Sequence, residues 1–222
     1  MTRILVVSPH PDDETLGAGG YLLKERRSGK SQIYWLNITN MKEEYGYSEE
    51  KCRNRDNELQ EVNRKFLFSD FFNLELEPAG LDKYDKKFLV QEIGRIFKIV
   101  KPNVVILPNA SDAHSDHKIV FESVWGCTKA FRSPWIEKIM SMQILSETDY
   151  SCPEEGFIPN FYVNIENELE DKIKIANIYK SEISDSPFPR NEEAIRALAV
   201  VNGAASYCKA AEAFRIIKMI ER

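Results

Sequence analysis

Three histidines, His10, His114 and His117, are all that the 222-residue chain contains, and each falls in one of two short segments rich in aspartate. The first, HPDDE at residues 10–14, brings His10, Asp12, Asp13 and Glu14; the second, PNASDAHSDH at residues 108–117, brings Asp112, His114, Asp116 and His117. Imidazoles and carboxylates gathered in this way hold divalent metals and move protons. Two imidazoles and one carboxylate, with a fourth position open to water, make a normal catalytic zinc set, and zinc lowers the pKa of that water to about 7. The pattern assigns His10, Asp13 and His117 as ligands of one Zn2+ per chain, with other divalent metals such as Fe2+ able to take the place. Asp12 is then left beside the metal as the base that accepts a proton from the attacking water. His114 reaches the site from its other side, to stabilise an oxyanion or protonate a departing amine, with Asp116 holding it in orientation. The chemistry is metal-assisted amide hydrolysis.

Two loops a hundred residues apart must be brought together by regular elements. Arg3 to Ser8 is a continuous apolar run of the kind buried on both faces of a parallel sheet, and it ends at His10. A helix over Leu16 to Gly29, a strand over Gln32 to Asn37, a helix over Glu49 to Phe66, a short strand over Phe71 to Leu76 and a helix over Lys86 to Val100 follow, and Val104 to Leu107 repeats the first strand just before the second His/Asp segment. This alternation predicts a Rossmann-like α/β fold, a mostly parallel sheet with helices on both faces, in a single domain spanning residues 1–222. In such sheets ligands sit beyond the carboxyl ends of the strands where strand order reverses, commonly between the first and fourth. Strands over Ile139 to Leu145 and Phe161 to Ile165, and helices over Glu168 to Glu182 and from Ala205 to the end, complete the expected order.

A net charge of −5, with 30 basic and 35 acidic residues, argues against sequence-independent binding of nucleic acid, which needs clustered cations. No apolar run is long enough to cross a bilayer, and the four cysteines form no CxxC pair. A cytoplasmic protein with free thiols, acting on a small molecule and able to assemble as a homo-oligomer, is expected.

The segment SPHPDDETLGAGG at residues 8–20 resembles the signature of the LmbE-like or PIG-L deacetylases, and PNASDAHSDH is similar to that family's second motif. The resemblance implies a zinc enzyme of Rossmann-like fold that removes the acetyl group from an N-acetylated amino sugar or sugar conjugate, with N-acetylglucosamine units as the substrate class. It implies too that Asp12 is the general base, that His117 completes the metal site and that His114 assists. Arg55 with Glu58 is similar to an R-x-x-E that faces substrate in the family; KIANIYKSE, residues 174–182, and GAASYCKAAEAF, residues 203–214, are weaker matches. Arg55, Arg53, Tyr45 and Tyr47 are the candidate substrate contacts, although both arginines also have acids at helical spacing that would pair with them on a solvated face. One departure falls after the second strand, where the family's Thr-x-Gly is replaced by Thr39-Asn40-Met41.

Two other classes use the same residues. His10-x-Asp12 with a distant histidine spells the facial triad of non-haem iron oxygenases, but those enzymes place it on a β-barrel of many short strands. A non-catalytic carbohydrate-binding domain with a structural metal is the other, and it has no use for an unliganded Asp12 and a second imidazole. The glycines of ETLGAGG do not keep the GxGxxG spacing of a dinucleotide site and are read as close-packing positions.

Overall fold

In the computed structural model, which describes residues 1–221, the chain forms one seven-stranded sheet flanked by six α-helices. The first half alternates strictly: β1 (Thr2–Ser8), α1 (Asp13–Ser28), β2 (Ser31–Thr39), α2 (Glu49–Phe66), β3 (Asp70–Leu76), α3 (Lys86–Val100), β4 (Val104–Leu107), α4 (Ser115–Cys127) and β5 (Lys138–Met142). Then come β6 (Phe161–Asn164), α5 (Leu169–Ala176), α6 (Glu192–Ala205) and β7 (Ala211–Met219). Strand order is β3-β2-β1-β4-β5-β7-β6; the first five run parallel, and β7 pairs antiparallel with both β5 and β6. β1 therefore lies between β2 and β4, and the order reverses there, which opens a crevice above the ends of β1 and β4.

The residues of β1 explain its central place. Ile4 and Val6 enter one apolar cluster and Leu5 and Val7 the other, all with no exposed surface, so the strand is covered on both faces. One cluster joins the sheet to α1, α2, α5 and α6 through residues such as Leu22, Leu59, Ile173 and Ile195; the second joins it to α3 and α4 through Leu89, Ile93, Val120 and Val124. The Rossmann-like expectation holds.

The glycines at the start of α1 have a structural task. A Cβ on Gly17 would lie 2.7 Å from the Met142 sulfur, and one on Gly20 would lie 2.6 Å from the Ile165 Cγ2. Between them Gly19, whose added Cβ would lie 3.2 Å from the Lys172 Cγ, leaves room for a buried ion pair against the helix. Glu212 of β7 accepts the N–H groups of Gly20 and Tyr21, each at 2.7 Å, and Lys172 of α5 donates to the Leu16 carbonyl and to Glu212, also at 2.7 Å. Two elements distant in sequence, β7 and α5, are thus clasped to the helix whose first turn carries Asp13.

Expected and observed elements diverge in the second half. The terminal helix expected from Ala205 is instead the strand β7: AEAFRIIKM is rich in good helix formers, but its buried first half, Ala211–Phe214, pairs with β6 and its second half, Phe214–Met219, pairs with β5, and these two edges outweigh a weak local preference. Helix α6, capped by the Asn191 side chain on the Ala194 N–H, lies just upstream, and α4 follows the second His/Asp segment; neither was expected. The helix expected over Glu168 to Glu182 runs only from Leu169 to Ala176.

Candidate metal centre and active site

His10 stands in the turn between β1 and α1. Asp12, next to it, has φ 116°, a left-handed backbone that L-residues other than glycine rarely adopt and that concentrates at functional sites. The buried Glu14 carboxylate supports this turn by accepting the Asp12 N–H at 3.3 Å, while Thr15 and Tyr179 hydroxyls donate to its other oxygen. Burial pushes Glu14 up to about 6 despite these donors. Asp13 opens α1, where a carboxylate meets the positive end of the helix dipole. The second segment leaves β4, and His114 caps α4 by accepting the Asp116 N–H on Nδ1 at 3.1 Å; His117 lies one turn in, without exposed surface.

Three donor atoms converge. His10 Nδ1 and His117 Nε2 are 3.3 Å apart, His117 Nε2 and Asp13 Oδ2 are 3.3 Å apart, and His10 Nδ1 and Asp13 Oδ2 are 3.7 Å apart. Donors about 2.0–2.2 Å from a zinc ion at tetrahedral angles must lie about 3.3–3.5 Å from one another. The residues fit the metal. Each imidazole turns its other nitrogen to a carboxylate: His117 Nδ1 to Asp112 at 2.9 Å, and His10 Nε2 to Asp116 at 3.0 Å. Such partners fix the tautomer and ring orientation of a ligating histidine. Asp112 is itself held by the Asn109 N–H and the Thr148 hydroxyl, and Asp116 by the N–H groups of Ala79 and Leu81.

The electrostatics favour a cation at the centre of this triangle. Burial alone would depress the basicity of His117, yet Asp13 and Asp112 raise it to about 10; burial alone would raise Asp13, yet His117 and His10 pull it down to about 2. With two nitrogen atoms facing each other at 3.3 Å, only a shared proton or a metal ion satisfies both lone pairs.

Asp12 is set differently. Its Oδ2 accepts from Arg190 Nη1 at 3.0 Å, whereas Oδ1 is buried and has no hydrogen-bond partner. Burial, then the neighbouring Asp13 charge, raise its pKa well above the ordinary carboxylate value. His114 packs edge-on to His10, with ring centroids 4.5 Å apart. Burial and His10 lower its pKa, so a neutral ring that accepts at Nδ1 carries its proton on Nε2.

Asp12, His10, His114 and Arg55 line a cavity of about 200 Å³, walled also by Tyr47, Glu147, Glu182 and Arg190. Three expectations need correction. Arg53 points to solvent on α2, its side chain 65% exposed and 4.0 Å from Glu49, because the helix turns its neighbour Arg55 inward instead. The Tyr45 hydroxyl donates to the Glu75 carbonyl at 3.1 Å, which ties that ring to the strand edge and leaves Tyr47 on the cavity. The Asp116 carboxylate faces His10, and only its backbone N–H meets His114. Arg55 is buried, pairs with Glu58 at 3.0 Å and with Glu182, and does line the cavity.

Sequence reasoning missed Arg190, Glu182, Asp112 and Glu147. Asp112 had a signal, a carboxylate five residues before His117 in a histidine-bearing loop. Arg190 had none, since 178 residues separate it from Asp12.

Among known proteins, the chain is 24% identical over 232 aligned residues to diacetylchitobiose deacetylase of Thermococcus kodakarensis, covering 97% of this chain and 83% of that protein. Its fold superposes on the conserved protein TT1542 of Thermus thermophilus with a TM-score of 0.79 and 23% identity, covering 100% of this chain and 97% of the other. It superposes on the inhibitor-bound N,N'-diacetylchitobiose deacetylase of Pyrococcus horikoshii with a TM-score of 0.76 and 22% identity, covering 97% and 84%. A sequence profile of GlcNAc-PI de-N-acetylases, PIG-L, matches residues 5–128, the stretch that runs from within β1 through α4 and holds both His/Asp segments, and the chain belongs to that family.

Proposed function

We propose that the protein is a zinc-dependent hydrolase that removes the N-acetyl group from an N-acetylated amino sugar or sugar conjugate. The observation that carries this reading is the triangle of His10 Nδ1, Asp13 Oδ2 and His117 Nε2 beside a buried Asp12 oxygen without a partner. His10, Asp13 and His117 would hold a divalent ion, which would supply Lewis acidity to the acetamide carbonyl and to water. Asp12 Oδ1 takes the proton of the water as it attacks the carbonyl carbon. Protonated Asp12 then returns that proton to the nitrogen as the C–N bond breaks, which leaves acetate and a free amine. His114, neutral with Nε2–H on the cavity, donates a hydrogen bond to the oxyanion that forms between those steps. Arg190 holds the other Asp12 oxygen and so keeps Oδ1 free for the proton.

An iron oxygenase would place a facial triad on a barrel, and the open parallel sheet speaks against it. A carbohydrate-binding domain with a structural metal would not need a base, and Asp12 is strained, buried and unliganded. Acetate release from a panel of N-acetylated sugars, with and without a chelator, tests the proposal. Asp12→Ala is expected to keep bound metal and lose turnover; activity that survives either the chelator or this substitution rules the mechanism out.

A further inference from the structure

Glu147 stands on the wall of the cavity over His10 and has no part in the mechanism above. The other carboxylates on that wall are held: Asp12 by Arg190, and Glu182 by Arg55 and Arg190. The half-buried Glu147 carboxylate has neither an ion pair nor a hydrogen bond among the described residues. Burial raises its pKa above the usual carboxylate value, against the pull of His117.

The backbone is built to hold it there. Ser146, the residue before it, has φ 72°, a left-handed conformation that is costly for an L-residue and gathers at functional sites. The N–H groups of Glu147 and Thr148 both donate to the Ile144 carbonyl, at 3.2 and 2.9 Å, and the Glu147 carbonyl accepts the Ala113 N–H at 3.2 Å. The Thr148 hydroxyl accepts the Ile144 N–H at 2.9 Å and donates to Asp112 at 2.8 Å. The turn after β5 is therefore fastened to the His/Asp segment after β4, and a strained residue inside that turn sets the place of Glu147.

Position and charge select the partner. In the sheet β5 lies on the far side of β4 from β2, and among the described residues Glu147 is the one lining residue that follows β5, whereas Asn40, Met41 and Tyr47 follow β2. A sugar ring whose acetamide reaches His10, Asp13 and His117 sits between those two walls, and a cavity of about 200 Å³, below the ~300–1,000 Å³ usual for small-molecule sites, brings it against both. An ionised carboxylate can only accept, so the group facing Glu147 must be a donor. A cationic donor would meet Arg55 and Arg190 across the same small space, which leaves a neutral one. The carbon that bears the acetamide has two ring neighbours. The anomeric carbon carries the link to the rest of a conjugate, and its glycosidic oxygen has no proton to give; C3 carries a hydroxyl. We propose that Glu147 is a specificity-determining residue that accepts a hydrogen bond from the C3 hydroxyl beside the acetamido group, so that the protein selects N-acetylated sugars in which that hydroxyl is free.

This inference rests on the deacetylase reading, and its test separates the two. Acetate release by the metal-loaded protein is measured for methyl N-acetylglucosaminide and for its 3-deoxy analogue. The expected kcat/KM is about ten- to a hundredfold higher for the hydroxylated glycoside, the range of one hydrogen bond to a charged group in a site built to make it. Glu147→Ala is expected to bring that ratio to about one, and Glu147→Gln, which keeps a neutral acceptor, to leave a ratio of a few-fold. Equal kcat/KM values for the two glycosides in the unsubstituted protein overturn the inference. A loss in Glu147→Ala that falls equally on both also overturns it, and makes Glu147 a structural member of its turn. Where neither glycoside releases acetate, calorimetric titration of the unsubstituted protein with the same pair decides. A Kd lower by about tenfold or more for the hydroxylated glycoside, with the difference lost in Glu147→Ala, sustains the role of Glu147 and removes the deacetylase reading; equal affinities or no binding overturn both.

Discussion

Lys172 and Glu212 are both nearly fully buried, and replacing Lys172 by methionine leaves a carboxylate in the core without its counter-charge. Breaking one side of a buried ion pair costs roughly 3–5 kcal/mol. Glu212 keeps two backbone donors, the N–H groups of Gly20 and Tyr21 at 2.7 Å, so the expected loss lies near the lower end, about 3 kcal/mol. The Leu16 carbonyl also loses its ammonium donor. For a chain of this size about 3 kcal/mol corresponds to a fall of roughly 6–12 °C in Tm. Adding Glu212→Gln removes the stranded charge while its carbonyl still accepts one of the helix N–H groups. The double variant is therefore expected to be less destabilised than the two single variants summed, by about 2 kcal/mol. Urea unfolding of the four proteins, followed by circular dichroism at one pH, measures the cycle. A loss below about 1 kcal/mol for Lys172→Met, or single losses that simply add, would refute the view that this pair clasps α1.

Two further substitutions test the site itself. Asp112→Ala removes the carboxylate behind His117 and is expected to weaken metal binding about 10–100-fold in a chelator competition, with unchanged affinity as the contrary result. Arg190→Met frees the second oxygen of Asp12, so kcat should fall by an order of magnitude or more at little change in KM or bound metal, with part of the loss recovered in Arg190→Lys; a KM effect alone would make Arg190 a substrate contact instead.

The likeness in fold to two solved structures at 22% and 23% identity concerns the scaffold, and the chemistry has to be argued from the side chains at the strand ends. Here that argument begins with geometry: His10 and His117 come from opposite sides of the switch point, and the sheet brings them to 3.3 Å.

The amino-acid sequence by itself determined the alternation of strands and helices through β4 and gathered the candidate ligands, because both are local: hydrophobic period names the element, and three histidines confined to two aspartate-rich strand exits mark the candidate site. It could also place those exits in one crevice, since a parallel sheet with right-handed crossovers leaves few topologies. The terminal strand β7 was hidden because its residues favour helix and only the unpaired edges of β5 and β6 select a strand. Arg55 falls four residues before Leu59 on the apolar stripe of α2 and Arg53 falls off it, so the helical period already separated the two, while the partners that Arg55 meets on the inward face came only with packing. The grip of Arg190 on Asp12 and the clasp of Lys172 and Glu212 on the glycines of α1 were decided by tertiary structure alone, because each joins groups that only the closed sheet brings within hydrogen-bond distance, and no local pattern records a contact made across the fold.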